Sequence, residues 1–409
     1  MTTLAYTDPQ TARRFVDVVL SLSQLGLASY GRPIVLANYT DVTPTLSSVD
    51  AIEGAIDEVE SIVAGLRDAH PRRYMAALVR GARTVLADLR GDDLSYHDLV
   101  AGCLEIDHRP VPESETRRLR QELHEGLGLL GYDGSLERQV EAWIAATSVT
   151  GDEVIRYGRS ILARAREATE RTVVALPPGE GIDDFGGVRD VHYSGKSRYV
   201  GDFRGTLEFN VDKFWQRDLF VHVLTHEAYP GHQTFYALWD YLYRRGAWPV
   251  EAAYYQLNGP TNAVFEGGPE ASLHFLGWDT ADTDEALRLR VALAYMDLGR
   301  IAMNDACLWC NSGAMTKDEA VALMVEHFVL PDDAERAHRF FTSRQSRANY
   351  AQYYYGRRIV TLAYERFGHS EAERQRFFDL IYRTPHTTST FVQAVAEASG
   401  APFDPFRYQ

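Results

Sequence analysis

A chain of 409 residues that is 45% apolar and 11% aromatic can bury a core large enough to offset chain entropy, which excludes global disorder. Its formal charge of −15, from 42 Lys and Arg against 57 Asp and Glu, argues against nucleic acid and anionic membrane as partners.

Apolar residues recur at three- and four-residue intervals over 11–26, 48–68, 71–90, 113–128, 135–147 and 150–175, the signature of amphipathic helices. Ser48, Asp50 and Pro71 supply start signals, and Gly131 and Gly134 punctuate a boundary. The texture changes after Pro177-Pro178-Gly179, where β-branched and aromatic residues at 188–193 and 198–210 predict one or two short hairpins. Helical patterning then returns over 212–229, 249–258, 262–277, 283–310, 316–327, 331–342, 344–366, 371–382 and 388–399. The expected fold is mainly α: an N-terminal helical region, 1–176, continuous with a C-terminal region, 177–409, that carries a short β-hairpin insertion beside the candidate site.

No run of about 18 apolar residues occurs, so no membrane span is expected. The start lacks a basic and apolar leader, and Cys103, Cys307 and Cys310 are too few for a disulfide framework. A cytoplasmic location is the expectation.

The informative segment is His222-Val-Leu-Thr-His226-Glu227-Ala-Tyr-Pro230-Gly231-His232. A His followed directly by Glu, with a second His close behind, suits a zinc hydrolase: imidazoles hold the metal and the adjacent carboxylate takes a proton from its water. The usual spacing is four residues; here His226 and His232 stand six apart, which on an unbroken helix leaves them about 120° from each other. Pro230 deletes the helical hydrogen bond to the His226 carbonyl, and Gly231 permits a turn closed to other residues. A break at 229–231 therefore predicts that His232 returns to the face of His226. His222, four residues before His226, offers a rival pair. Glu266 supplies a third ligand, with Glu270 in competition, and two histidines plus one carboxylate leave a position open for water.

The run His-Glu-Ala-Tyr-Pro-Gly-His, followed about thirty residues later by Phe265-Glu266-Gly267, resembles the domain-of-unknown-function 885 family of zincin-type metallohydrolases. The resemblance implies a mostly helical, zincin-like metallopeptidase fold, zinc held by His226, His232 and Glu266, Glu227 as general base, and peptide-like substrates. The chain departs from that pattern at Gly268, where the family carries Trp, at Ala271 in place of a Tyr, and at Phe235 in place of a Gln.

A second constellation runs from Arg339 to Gly356 and resembles the family's Arg-Tyr pair and Tyr-x-x-Gly turn. Tyr350 fits by distance from Arg339 and Tyr353 by distance to Gly356; either phenol can donate to a tetrahedral oxyanion. Arg344 and Arg347 suit a substrate carboxylate through paired hydrogen bonds. Cys307-Leu-Trp-Cys310 has redox spacing, but without a preceding βαβ pattern it reads as core, and His192 and His274 read as structural.

The expected function is zinc-dependent hydrolysis of an amide or peptide bond in a small substrate, with another divalent transition metal as the alternative ion. Two rivals remain: a non-hydrolytic tailoring enzyme using Zn, Fe or Mn at the same ligands, and a helical binding protein with a vestigial site.

Overall fold

A computed structural model describes residues 4–191 and 193–408. The first three residues, on which the leader expectation partly rests, and His192 lie outside the described residues. The fold is mainly helical. Its first half comprises α1 (Pro9–Tyr30), β1 (Val35–Asn38), α2 (Val49–Ala64), α3 (Ala69–Arg90), α4 (Tyr96–Leu104), α5 (Glu113–Leu129), α6 (Leu136–Thr147), β2 (Ser148–Val149) and α7 (Gly151–Thr172). A small sheet region follows: β3 (Gly181–Val188), β4 (Gly195–Gly201), β5 (Arg204–Asn210) and β6 (Trp215–Gln216). Then come α8 (Arg217–Glu227), α9 (His232–Arg244), β7 (Tyr254–Gln256), α10 (Asn262–Glu270), α11 (Ser272–Phe275) and α12 (Asp284–Asn311). The chain closes with α13 (Lys317–Glu326), α14 (Pro331–Thr342), α15 (Ala351–Phe367), α16 (Glu371–Arg383) and α17 (Thr388–Ser399).

Local signals place many of these boundaries. Asp8 opens α1 by accepting from the Gln10 and Thr11 amides, and Gly31 at φ 76° ends it, a conformation that costs glycine nothing. Ser48 accepts from the Ala51 amide to start α2.

Two expectations need correction, one is met, and two helices were unforeseen. The segment expected helical at 249–258 contains instead β7, which pairs antiparallel with β1; its Tyr-Tyr-Gln run suits a buried strand, and the pairing satisfies its amides. The helix expected at 344–366 begins only at Ala351, because 343–350 runs through turns. Helices α4 and α9 were not legible as separate elements. The expected hairpin is β4–β5, and β3 adds to it in parallel, giving the sheet order β3-β5-β4.

The largest apolar core draws on Phe15, Val79, Phe265, Tyr355 and Phe391, so helices on both sides of position 176 share it. A second cluster joins Phe185 and Phe209 of the sheet to Phe220 of α8. These packings hold α8 between the sheet and α12. Among the described residues no helix is long and apolar enough to cross a membrane.

Candidate metal centre

The helix carrying the motif stops at Glu227, and a new one starts at His232. Between them the Gly231 amide donates to the Thr225 carbonyl at 3.1 Å, folding the chain back onto the end of α8. A Cβ on Gly231 would stand 1.8 Å from the His226 carbonyl oxygen. Glycine is required here by that approach, since its φ of −76° is open to any residue. The loop is fixed from outside: Tyr382 donates to the Pro230 carbonyl at 2.7 Å, and the Tyr229 hydroxyl and the Gln233 amide both donate to buried Glu180.

The break brings the His226 and His232 rings to 4.7 Å between centroids. Glu266 reaches the pair from α10: its Oε2 lies 3.6 Å from His226 Nε2 and 3.4 Å from His232 Nε2. All three side chains are buried, and Oε2 of Glu266 has no hydrogen-bond partner among the described residues. Its other oxygen accepts from the Tyr255 hydroxyl at 3.3 Å, and Phe265 stacks on the His232 ring at 4.7 Å. The depth of α10 is set by a glycine contact, because a Cβ on Gly267 would stand 2.3 Å from the Gly356 carbonyl oxygen of α15. Gly268 is likewise filled from outside, its missing Cβ position lying 2.6 Å from the Phe235 ring. Two of the positions that depart from the resembled pattern therefore touch each other.

Glu270 serves the opposite side of His226. Its Oε1 lies 3.3 Å from His226 Nδ1, and its Oε2 lies 3.3 Å from His222 Nε2. Arg300 of α12 pairs with both oxygens, donating to Oε1 at 2.6 Å. A carboxylate facing Nδ1 favours the tautomer with its proton there, which leaves the Nε2 lone pair for a metal. His222, His226 and Glu270 also lie close enough to form a ligand set. The guanidinium of Arg300 already neutralises that carboxylate, so the His226–His232–Glu266 set fits a dication better. Two imidazoles and an unpartnered carboxylate oxygen are a donor set suited to zinc or a neighbouring divalent metal.

The charges agree with this geometry. Burial opposes a charged His226, but Glu270, then Glu227 and Glu266, outweigh it and hold the imidazole up to about 9. Burial by itself would raise both glutamates. His232 and His226 instead lower Glu266, while Arg300 and His226 hold Glu270 well below the ordinary carboxylate range. Burial pulls His222 down to about 4. The carboxylates thus favour positive charge at the position of His226, and burial keeps His222 neutral.

A cleft of about 690 Å³ opens over this cluster, lined by His226, Glu227, Glu270, Arg300, Tyr350 and Tyr353 among others. Glu227 is half-buried in its lining, and its Oε2 accepts from the Ser197 amide of edge strand β4 at 2.8 Å. The two tyrosines separate by their partners. Tyr350 donates to the Met303 sulfur at 2.8 Å, whereas the Tyr353 hydroxyl has no hydrogen-bond partner among the described residues. Burial, then the charges of Glu266 and Glu227, raise Tyr353 well above the ordinary phenol range, so it stays a donor.

Arg344 and Arg347 are elsewhere. Arg344 donates to the Asp88 and Leu89 carbonyls and lies over Tyr30, and Arg347 pairs with Asp88 at 2.5 Å. Both serve the C-terminal end of α3, where cations complement free carbonyls. The expectation that they hold substrate is corrected: in the turn-rich 343–350 segment, helical spacing does not decide where a side chain points. Cys307 is buried and accepts or shares a proton with Tyr96 at 3.2 Å, and Cys103, Cys307 and Cys310 are all unpaired. His274 pairs with Asp279 at 3.3 Å. Sequence reading missed Arg300, Tyr255 and the Ser197 amide, which come from distant elements with no local signal. Glu270 was visible as a ligand competitor, four residues after Glu266, but not as the group facing His226 Nδ1.

No family model matches the chain, and no curated protein matches it. The fold is nonetheless found in solved structures. One, the "putative lipoprotein" from Colwellia psychrerythraea, superposes with a TM-score of 0.61 at 12% identity, covering 92% of this chain and 72% of that one. Another, a "putative lipoprotein of unknown function" from Shewanella oneidensis, gives 0.54 at 15% identity, covering 86% and 74%. At such identities the likeness is one of fold alone. The expected membership of the domain-of-unknown-function 885 family is therefore corrected: the seven-residue motif matched, but no family model does, and neither structural neighbour is named a metallohydrolase.

Proposed function

We propose that this protein is a metal-dependent hydrolase that cleaves an amide or peptide bond of a small peptide-like substrate, with zinc as the metal. One observation carries the reading: Nε2 of His226, Nε2 of His232 and Oε2 of Glu266 converge, and His226 lines a cleft together with Glu227. When bound there, the ion supplies Lewis acidity to the scissile carbonyl and acidity to a nearby water.

The chain's own groups supply the rest. The Ser197 amide fixes one oxygen of Glu227, leaving the other to accept a proton from the attacking water and return it to the leaving nitrogen. The free hydroxyl of Tyr353 donates to the developing oxyanion. Edge strand β4 meets the cleft at Gly195, where an extended substrate backbone can lie as an added strand. A ligand-bearing helix beside such an edge is what supports the finer, zincin-like metallopeptidase reading of the fold. A cytoplasmic site of action fits the three unpaired cysteines.

The test is metal analysis of the purified protein, followed by a screen of short peptides and acyl amides with and without chelator. Glu227→Gln should abolish turnover while retaining the metal, and the products should carry one oxygen from labelled water. Metal-free protein indifferent to chelators, or a Glu227→Gln variant of undiminished rate, overturns the reading. Products without solvent oxygen point to non-hydrolytic chemistry at the same ligands.

A further inference from the structure

The cleft wall carries a charge opposite to that of the molecule. In a chain of net charge −15, Arg32, Lys213, Arg336 and Arg339 all line the cavity that holds Glu227. Some of this charge is neutralised locally. Arg336 pairs with Asp333, which also lies 3.7 Å from Lys213, and Arg300 is taken by Glu270. Two guanidinium groups remain. Arg32 is exposed and has no ion-pair partner among the described residues. Arg339, with 66% of its side chain exposed, pairs among the described residues only with Glu335 at 4.0 Å, and Glu335 is already held by Lys317 at 2.7 Å.

The same cavity exposes apolar surface that a folded chain normally covers. Phe214 is 70% exposed and Leu330 46% exposed, and both line the cleft with Met303 and Phe340. Exposed apolar side chains gathered with free cations around one cavity mark a ligand that is apolar along its body and anionic at one end.

We propose that the substrate is a peptide-like amide bearing an apolar side chain and a free carboxylate, and that Arg339 and Arg32 receive the carboxylate. This rests on the hydrolase reading for what happens to the substrate, though not for its binding. A guanidinium recognises a carboxylate through two parallel hydrogen bonds, which an uncharged carboxamide cannot reproduce. The wall therefore selects the free acid over its amide, through Arg32 and the weakly paired Arg339.

The test uses the metal-loaded Glu227→Gln protein, so that binding is read without turnover. N-acetyl-phenylalanyl-phenylalanine and its C-terminal amide are titrated by calorimetry. The acid should bind at least about 10-fold tighter than the amide, with the preference shrinking at about 0.5 M salt. Arg339→Ala and Arg32→Ala should each weaken the acid several-fold and leave the amide unchanged. Equal affinities, binding of neither compound, or a preference that survives in the double variant overturns the proposal. Wild-type protein is then assayed for cleavage of both compounds: selective binding of the acid without cleavage of either sinks the hydrolase reading and leaves the carboxylate site standing.

Discussion

Replacing Gly231 by alanine tests the feature on which the metal centre depends. The added Cβ would stand 1.8 Å from the His226 carbonyl oxygen, 2.4 Å from its carbon and 2.5 Å from the Thr225 carbonyl oxygen, all of them backbone atoms that cannot rotate away. Side-chain carbons do not approach closer than 3.0 Å, so the start of α9 must move from the end of α8 by more than about 1 Å. Metal–ligand distances tolerate about 0.2 Å, so a shift of that size takes His232 out of reach of an ion held by His226 and Glu266. The expected result is a loss of about 3 kcal/mol in unfolding free energy, from overpacking, and a loss of metal affinity of at least about 100-fold. Gly31→Ala is the control. It forces alanine into φ 76° with no neighbour within 4 Å, so about 1 kcal/mol of stability is lost with no effect on metal. Denaturant titration and competition with a chromogenic chelator read the two quantities separately. A Gly231→Ala protein of wild-type stability refutes the crowding argument, and one that is destabilised yet binds metal normally removes His232 from the ligand set.

Three further outcomes follow from the same geometry. Glu270→Gln keeps the shape but removes the charge facing His226 Nδ1, and metal affinity should fall about 10- to 100-fold; an unchanged dissociation constant denies Glu270 that role. Tyr353→Phe should lower kcat by about 100-fold with KM little altered, while Tyr350→Phe, whose hydroxyl is spent on Met303, should not; the reverse pattern would exchange their roles. Burial holds His386 down to about 3, against an ordinary 6.5, so as pH falls the unfolded chain takes up that proton first. This contribution to stability is complete above pH 6.5 and is lost on descent towards 3, at about 1.4 kcal/mol per unit. Relative to wild type, His386→Phe should therefore gain about 3 kcal/mol between pH 7 and pH 4, and a pH-independent difference contradicts the assignment.

What the sequence made legible was local. Most helices announced themselves by spacing and caps, and the pairing of His226 with His232 followed from Pro230 and Gly231 lying between them. Even there the reason was only half visible: conformational freedom suggested Gly231, whereas close backbone approach demands it. The arginines show the limit. Arg344 and Arg347 have the chemistry to hold a substrate carboxylate, but 343–350 forms turns, and Asp88, more than 250 residues earlier, captures both. Arg339, on α14 a few residues before, is the one that meets the cleft. Nothing in the local pattern separates these cases, because the deciding partner lies on another helix.

The same distinction explains how the site is held. Three missing Cβ atoms set the positions of its ligands: Gly231 lets α9 begin against the end of α8, while Gly267 and Gly356 let α10 sink onto α15 until Glu266 reaches the two imidazoles. Each contact joins backbone to backbone, so it resists adjustment in a way that side-chain packing does not. Glu270 and Arg300 then fix the ring of His226 from behind. Ligand spacing is thus governed by the rigid part of the fold and ligand orientation by a buried ion pair. The cleft wall, with exposed Arg32, Arg339 and Phe214, carries no such constraint. Substitutions there should alter which amide is accepted without disturbing the metal, whereas a single methyl group at Gly231 or Gly267 should disturb the metal whatever the substrate.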